Sequence, residues 1–508
     1  MALNDIIFRK SQGGLGRPQD GEDYIAGYIG YVSSLPSGFT SSDRVKVFYQ
    51  IEDAEAAGIT DDYSDETKAT GSYLVTNAGA EGDTVTVKVA EHTDTVTLCS
   101  YTRTSTDTTA ALVATAITAA INAGTDTHGY TASVATATVT ITARQGLGIF
   151  LNSGTPLSVT ISGTVAGTIT QFTGGVASVL AVHHYHISEY FRMIEKISGQ
   201  GKLYVGMYAV PGGTPTFTEI STVQTYAEKT IRQMFVYNDF TAFATSQVTT
   251  IQGVVDTLSE EHAPLSILYA GNIAAVTNLS SLSDLRSLDS ENVSVVVGQD
   301  GANTGFELFK AYGKSITCGG ATLGTLAAIK VHENIGNVAK CNLSTGTELE
   351  VAAFANGTKF RDVSSSLLSQ INMYKYIFLR KLDGLTGTYF NDSHTSTSAT
   401  SDYCYIENVR TIDKAIRMQR AALLPALNSN LRLNSDGTMT DGTIAYLESL
   451  GNQALEQMIR DEEISAGSTT IDTTQKPQST GKVSVSTELI SSPVARNFEV
   501  KIGYTQSL

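Results

Sequence analysis

The sequence predicts an α/β protein of several domains: a mixed, largely parallel α/β core, a β-rich domain inserted into it, and a C-terminal α+β domain with extended terminal arms. Three observations predict it. From about Ser178, stretches of helical period alternate with short apolar runs, the pattern of βαβ units whose sheet is covered on both faces. Between about Gly71 and Val176 the composition shifts to Thr, Val, Ala and Gly with an alternation of period two. Beyond Cys404, two amphipathic helical stretches lead into an alternating tail. We divide the 508 residues, too many for one ordinary core, into 1–70 (an arm and the start of the core), 71–176, 177–403 and 404–508.

The chain opens with the apolar trio Ile6, Ile7 and Phe8, followed by SQGGLGRPQDG, whose Gly, Pro and Asp residues break regular structure. YIAGYIGYV then reads as a strand, and VKVFYQIEDAEAAG as a strand running into a helix. In the Thr-rich block, Val85, Val87 and Val89 share one strand face, and Val139 with Ile141 another. One helix, capped by Asp107 or Thr108, is expected to bury Val113, Ile117 and Ile121. A unit that closes its own core between two unlike flanks is an insertion into a loop.

The βαβ segment pairs four helical stretches with four strands: ASVLAVHHYHISEYFRMIEKI before KLYVGMYAV, FTEISTVQTYAEKTI before QMFVY, SQVTTIQGVVDTLSEEH before PLSILYA, and a polar helix around Leu282 before NVSVVVG. The glycines 319, 320 and 324 beside LAAIKV imply close helix packing.

Composition narrows the function. A formal charge of −16 argues against nucleic acid, because tracking phosphates requires a continuous basic surface. No run approaches the roughly 18 apolar residues of a membrane helix, so a soluble compartment and no direct membrane insertion are expected. Charged residues are only 17% of the chain, which leaves a surface that can meet protein at modest desolvation cost. The four cysteines, 99, 318, 341 and 404, are scattered and fit neither a zinc knuckle nor a disulfide framework.

Candidates for chemistry are few. His183, His186 and Glu189 follow one helical face and offer two imidazoles and a carboxylate to a metal, but the H-E-x-x-H order is absent, and an interface helix using His as filler is the plainer reading. The glycines from 298 to 305 lie between a strand and a helix yet lack the Lys-Ser/Thr of a P-loop, so a turn is expected. No G-x-S-x-G elbow exists. No cofactor, metal or catalytic residue is assigned.

In the last fifth, Val409, Ile412, Ile416 and Leu423 recur at near-helical spacing, while Arg410, Lys414 and Arg417 form a basic stripe. After the turn Asn434-Ser435-Asp436-Gly437, a second helix places Ile444, Leu447, Leu455 and Met458 on one face and displays Glu448, Glu456 and Glu463. The tail then puts Phe498, Val500, Ile502 and Tyr504 on one face of a terminal strand.

The order Asp-Tyr, Ile-Glu, Arg-Thr-Ile-Asp-Lys-Ala, Leu-Leu-Pro, Asp-Gly, Leu-Glu, Met-Ile, Glu-Ile and finally Pro-Val-Ala-Arg-Asn-Phe-Glu-Val-Lys-Ile-Gly-Tyr, from Asp402 to Tyr504, resembles the C-terminal domain of contractile tail sheath proteins of bacteriophages and related injection machines. The resemblance implies a structural subunit, not an enzyme, that polymerises as stacked rings around a tail tube and contracts to drive the tube through a cell envelope. Its implied partners are further copies of itself, the tail tube protein, and baseplate and tail terminator proteins. Its implied location is the virion tail, assembled in the bacterial cytoplasm. On this view Ile6, Ile7, Phe8, Phe498, Val500, Ile502 and Tyr504 belong to arms that complete sheets in neighbouring subunits. Arg410, Lys414, Arg417, Glu448, Glu456 and Glu463 then serve contacts of the inner layer or the tube. Two readings from other classes compete: an α/β enzyme, and a carbohydrate-binding adhesin carried by the Thr-rich domain.

Overall fold

The computed structural model describes residues 22–92, 94–210, 214–344 and 346–505. The chain forms two compact units: Tyr24–Arg410, and a smaller one made of the N-terminal residues to Asp23 with Thr411–Leu508.

In the larger unit the chain runs through β1 (Ile25–Val32), β2 (Val45–Phe48) and α1 (Ile51–Ala56) into a Thr-rich segment. That segment holds β3 (Thr70–Asn77), β4 (Thr84–Glu91), β5 (Asp94–Thr102), α2 (Ala110–Ala123), α3 (Thr125–His128), β6 (Thr131–Ala135), β7 (Thr138–Thr142), β8 (Leu157–Ser162) and β9 (Ala166–Thr173). Next come α4 (Leu180–Ile197), β10 (Lys202–Ala209), α5 (Glu219–Tyr226), β11 (Gln233–Ala242), α6 (Thr245–Glu260), β12 (Ser266–Asn272) and β13 (Val293–Val296). The unit ends with β14 (Gly298–Asp300), α7 (Asn303–Tyr312), α8 (Gly319–Ala328), β15 (Ala352–Phe354), α9 (Ser365–Met373), β16 (Tyr376–Ile377), β17 (Leu379–Arg380) and β18 (Tyr389–Phe390).

The main sheet has the order β16-β13-β12-β11-β1-β10-β2, parallel throughout except for the antiparallel edge strand β2. β1 sits between β10 and β11, and all eight of its residues are buried. Its pleat feeds two cores. Ala26, Tyr28 and Val32 face a cluster that includes α4 and α8, whereas Ile25, Ile29 and Tyr31 face one that includes α5 and α6. This two-sided burial is what a parallel sheet requires of its strands.

The three glycines expected to allow close packing do so: a side chain at Gly320 would collide with the His186 carbonyl oxygen and one at Gly324 with that of Tyr190, both on α4, whereas one at Gly319 would strike the Phe235 ring on β11. The stretch around Leu282 departs from expectation. It forms only a 3-10 turn, Leu279–Ser281, with the Asn278 side chain accepting from Ser280 N, because Asn and Ser compete with helix by bonding their own backbone.

The Thr-rich segment folds as a four-stranded sheet, β6-β7-β3-β9, and a three-stranded one, β5-β4-β8, around α2. Val85, Val87, Val89, Val113, Ile117, Ile121, Val139 and Ile141 are all fully buried in a core separate from the other clusters. The cap of α2 is Thr109, whose hydroxyl accepts from Leu112 N, rather than Asp107 or Thr108. Asp107 is taken by the Tyr101 and Thr104 hydroxyls, which hold the preceding turn.

The helix α10 (Ile406–Leu423) leads into the smaller unit, which contains α11 (Asp441–Arg460), β19 (Ile464–Thr470), α12 (Pro477–Thr480) and β20 (Ser486–Ser491). Here Ala415 and Met418 pack with Ala454, Leu455, Met458 and Ile464, and Ile444 and Leu447 with Met439 and Ile471. The stripe expected on α10 is therefore rotated: Ile416 is half exposed, and the small side chain of Ala415 takes the contact because it lets the helices approach. β19 and β20 form an antiparallel pair.

Candidate assembly interface

The tail beyond β20 is the most unusual surface. Residues 492–505 belong to no strand or helix, and Phe498, Val500, Ile502 and Tyr504 are 85%, 73%, 93% and 110% exposed. The alternation expected of a terminal strand is present, but among the described residues it pairs with no strand; the strand of this region is β20, some residues earlier. Scattered surface apolar residues are ordinary, whereas four at alternate positions of a segment outside every strand and helix make an exposed apolar patch. Ile6, Ile7 and Phe8 lie outside the described residues.

The charged residues divide into three situations. Arg410 is buried, with Nη1 3.4 Å from the Lys330 carbonyl oxygen in the larger unit. Lys414 and Arg417, one helical turn apart, converge on Asp23: Lys414 Nζ lies 2.8 Å from one carboxylate oxygen and Arg417 Nη2 3.0 Å from the other. Lys414 also donates to Glu463 at 2.6 Å. Burial disfavours its ammonium, but the two carboxylates outweigh burial and hold its pKa above the ordinary lysine value. Burial pushes the Glu463 carboxyl up, and Lys414 opposes that push.

Lys414 and Glu463 therefore meet as opposite stripes were expected to, but inside one chain and mostly buried. Glu448 is half-buried, and its carboxylate accepts from Ile471 N just past β19. Glu456 alone of the six is fully on the surface. Asp23, which joins the two cations, was missed by the sequence reading. Its only signal is an acidic pair, Glu22-Asp23, preceding an apolar strand.

On α4 the trio His183, His186 and Glu189, weighed above as a metal set against the plainer reading of His as filler, is buried in packing. His183 Nε2 lies 3.2 Å from the Tyr31 carbonyl oxygen and must donate to it, so Nδ1 is the acceptor for the Tyr28 hydroxyl at 2.6 Å. Gly30 leaves room for this ring, since a Cβ there would sit 2.7 Å from it. His186 is buried among Tyr28, Phe235 and Tyr237, and burial holds its pKa well below the ordinary value. Glu189 is clasped by Arg192 at 2.7 and 2.5 Å. These contacts position α4 against the sheet. Among the described residues no helix is long and apolar enough to cross a membrane.

A comparison with curated protein sequences finds no match. Among solved structures, the chain is similar to the anti-feeding prophage helical sheath in its contracted state, with 14% identity, 64% of this chain and 81% of that chain covered, and a TM-score of 0.45. It is similar to a chain of the anti-feeding prophage baseplate at 12% identity, 64% and 80% coverage and a TM-score of 0.42. It is also similar to the sheath complex of the extracellular contractile injection system PVC in its contracted state, at 13% identity, 63% and 80% coverage and a TM-score of 0.41. The model of the DUF2586 N-terminal domain matches residues 3–394 and that of the DUF2586 C-terminal domain residues 402–508, so the chain belongs to the DUF2586 family.

Proposed function

We propose that this chain is the structural subunit of a contractile sheath, laid down as stacked rings around a tube and driving that tube through a target envelope on contraction. The observation that carries the reading is the C-terminal tail, a segment outside every strand and helix with exposed apolar side chains at four alternate positions. Strand addition to the sheet edge of a second copy would bury that face and pair its backbone. The residue pattern from Asp402 to Tyr504 supports the same reading through its resemblance to sheath C-terminal domains.

The magnitudes suit a lattice better than an isolated pair. Burying each large apolar side chain contributes about 1.5–3 kcal/mol. Ordering the backbone costs about 1–2 kcal/mol per residue, and each new hydrogen bond returns about 0.5–1.5 kcal/mol. One arm thus binds weakly alone, while arms repeated around a ring hold subunits together by effective concentration. Contraction draws on two discrete packings of the same subunits, and the stored energy is the difference between their buried interfaces. The role is mechanical rather than catalytic.

Within this reading the N-terminal trio Ile6, Ile7 and Phe8 forms the second arm. Residues 71–176 are a decoration not required for assembly, and Glu448 and Glu456 with the Lys414–Glu463 region lie toward the inner layer. Tube, baseplate and tail terminator proteins are the partners, and the virion tail, assembled in the bacterial cytoplasm, is the location.

Truncation after Ser492 tests the proposal. The shortened chain is expected to stay folded with an unchanged cooperative melt, yet to form no tubes of stacked rings in negative-stain electron microscopy, where the full chain forms them. Normal tubes from the truncated chain would refute the role of the arm.

A further inference from the structure

Of the three histidines near the start of α4, only His184 turns away from the sheet. Its Nε2 lies 3.1 Å from Glu55 Oε1, at the end of α1, and Asp61 in the following loop completes the group: one ligand atom from each of the three residues lies within 4.8 Å of the others. We propose that His184, Glu55 and Asp61 bind a divalent first-row transition-metal cation of the Zn²⁺ and Mn²⁺ class.

The donor set and its spacing carry the assignment. Ligand atoms bonded at about 2.0–2.2 Å to one such ion stand about 3.0–3.4 Å from each other, so the His184–Glu55 pair is already at coordination spacing. One imidazole with two carboxylates suits Zn²⁺ or Mn²⁺; an all-oxygen cage would be needed for Ca²⁺ and thiolates for Cu(I). The buried His184 fixes one ligand, while the exposed Glu55 and Asp61 can close on the ion and leave its remaining positions to water.

The surrounding chain pre-orders the loop that carries Asp61. Gly58, at φ +83°, lets the backbone turn out of α1. The Asp62 carboxylate accepts from the Thr60 hydroxyl at 2.7 Å and from Ser64 N at 3.0 Å, which fixes the turn on either side of it. Asp65 then accepts from Val179 N and Leu180 N at the start of α4, at 2.8 and 3.1 Å. An ion held by Glu55, Asp61 and His184 would cross-link α1, α4 and the strand of chain entering the Thr-rich domain. The site thereby pins the neck of that domain to the core, and the inference stands independently of the sheath reading.

The alternative is a plain His184–Glu55 hydrogen bond, and Asp61 separates the two because it takes no part in that bond. The full-length chain, stripped with chelator, would be titrated with ZnCl₂ and MnCl₂ by calorimetry and thermal melting, with MgCl₂ as control. The expected result is saturable binding of one Zn²⁺ or Mn²⁺ per chain, a melting temperature that rises with its concentration, and no such response to Mg²⁺. Asp61→Asn should melt like the parent without metal yet bind at least about 10-fold more weakly, as loss of a ligand requires. Visible absorption of bound Co²⁺ should change in the same variant. No saturable binding, or equal binding by parent and Asp61→Asn, would overturn the proposal.

Discussion

Strand β1 and the C-terminal tail carry related sequence and meet opposite fates. Ile25–Val32 and the segment from Phe498 to Tyr504 are both rich in β-branched and aromatic side chains at strand-like spacing. The first is buried at every position, because β10 and β11 flank it and a helix layer covers each face. The second has the opposite exposure at every apolar position. Apolar alternation creates the demand for an edge, and only tertiary structure supplies one. The faces differ too: β1 is apolar on both, as befits the middle of a parallel sheet, whereas the tail sets Glu499 and Lys501 against its apolar side, as befits a strand with one side in water.

The largest effect comes from putting a charge on each strand. Ile29→Asp in β1 would bury an unpaired carboxylate in the core and should abolish the folded state, a cost above about 4–5 kcal/mol. Val500→Asp with Ile502→Asp in the tail should leave the thermal melt unchanged and instead remove sedimenting assemblies. A fall in melting temperature for the tail variant would mean that the tail contributes to its own subunit, and the contrast would collapse.

Polar groups inside the larger unit sharpen the comparison at intermediate size. Asp300, at the end of β14, is fully buried; burial pushes its carboxyl up to about 7, against the lowering effect of the Ala302 and Leu349 backbone N–H donors. The folded state therefore holds this proton more tightly than the unfolded chain. The associated stability is complete below about pH 4 and is lost as pH rises toward 7. The two donors bond different carboxylate oxygens, so Asp300→Asn keeps an acceptor for only one of them and should lose stability at acid pH; having no proton to lose, it should also remove that decline, so that its stability differs less between pH 5 and pH 8 than the parent's. Denaturant midpoints of both chains at pH 5 and pH 8 measure it.

His186 titrates with the opposite sign. Its pKa is depressed by burial, so the stability it brings is present above the unfolded value of about 6.5 and is lost as pH falls through the range below it. Its ring nitrogens have no hydrogen-bond partner among the described residues, and rings of Tyr28, Phe235 and Tyr237 surround it. His186→Phe should therefore gain about 1 kcal/mol at neutral pH and flatten the acid limb between pH 6.5 and 5. An acid limb of unchanged slope in the variant would assign the titration to His183 instead.

The fold was legible wherever period and burial coincide. Val85, Val87, Val89 and the strands of the βαβ segment announced themselves because each buries a face that the pleat repeats. The central position of β1 was not legible, because strand order arises from contacts between residues far apart in sequence, Ile25 with Lys202 and Ala26 with Gln233 among them. The histidines show a finer limit. Helical period groups 183 with 186, and they do share a direction, but it points into the core; His184 reaches the surface cluster because Glu55 and Asp61 arrive from elsewhere in the chain. The charged stripe of α10 was visible as a stripe, yet its partners Asp23 and Lys330 come from sequence hundreds and scores of residues away.

The smallest expected effect lies on the surface of α11, where Glu456 carries the same charge as Glu463, which follows the helix, in different surroundings. Glu463 is buried against Lys414, so reversing it would leave two cations facing each other without solvent, a cost of about 3–5 kcal/mol in line with broken buried pairs. Glu456 is exposed, and Glu456→Lys disturbs at most the i,i+4 spacing to Arg460, worth about 0.3–0.5 kcal/mol. Its melt should therefore match the parent within about 0.5 kcal/mol. If this face of α11 meets the tube or a neighbouring subunit, the same change is repeated in every copy of the ring, and the salt concentration at which assemblies dissociate should move, because exposed charges act within a screening length of about 8–10 Å. Turbidity or sedimentation across a salt series compares the two chains directly. An identical profile would place Glu456 away from any charge-sensitive interface.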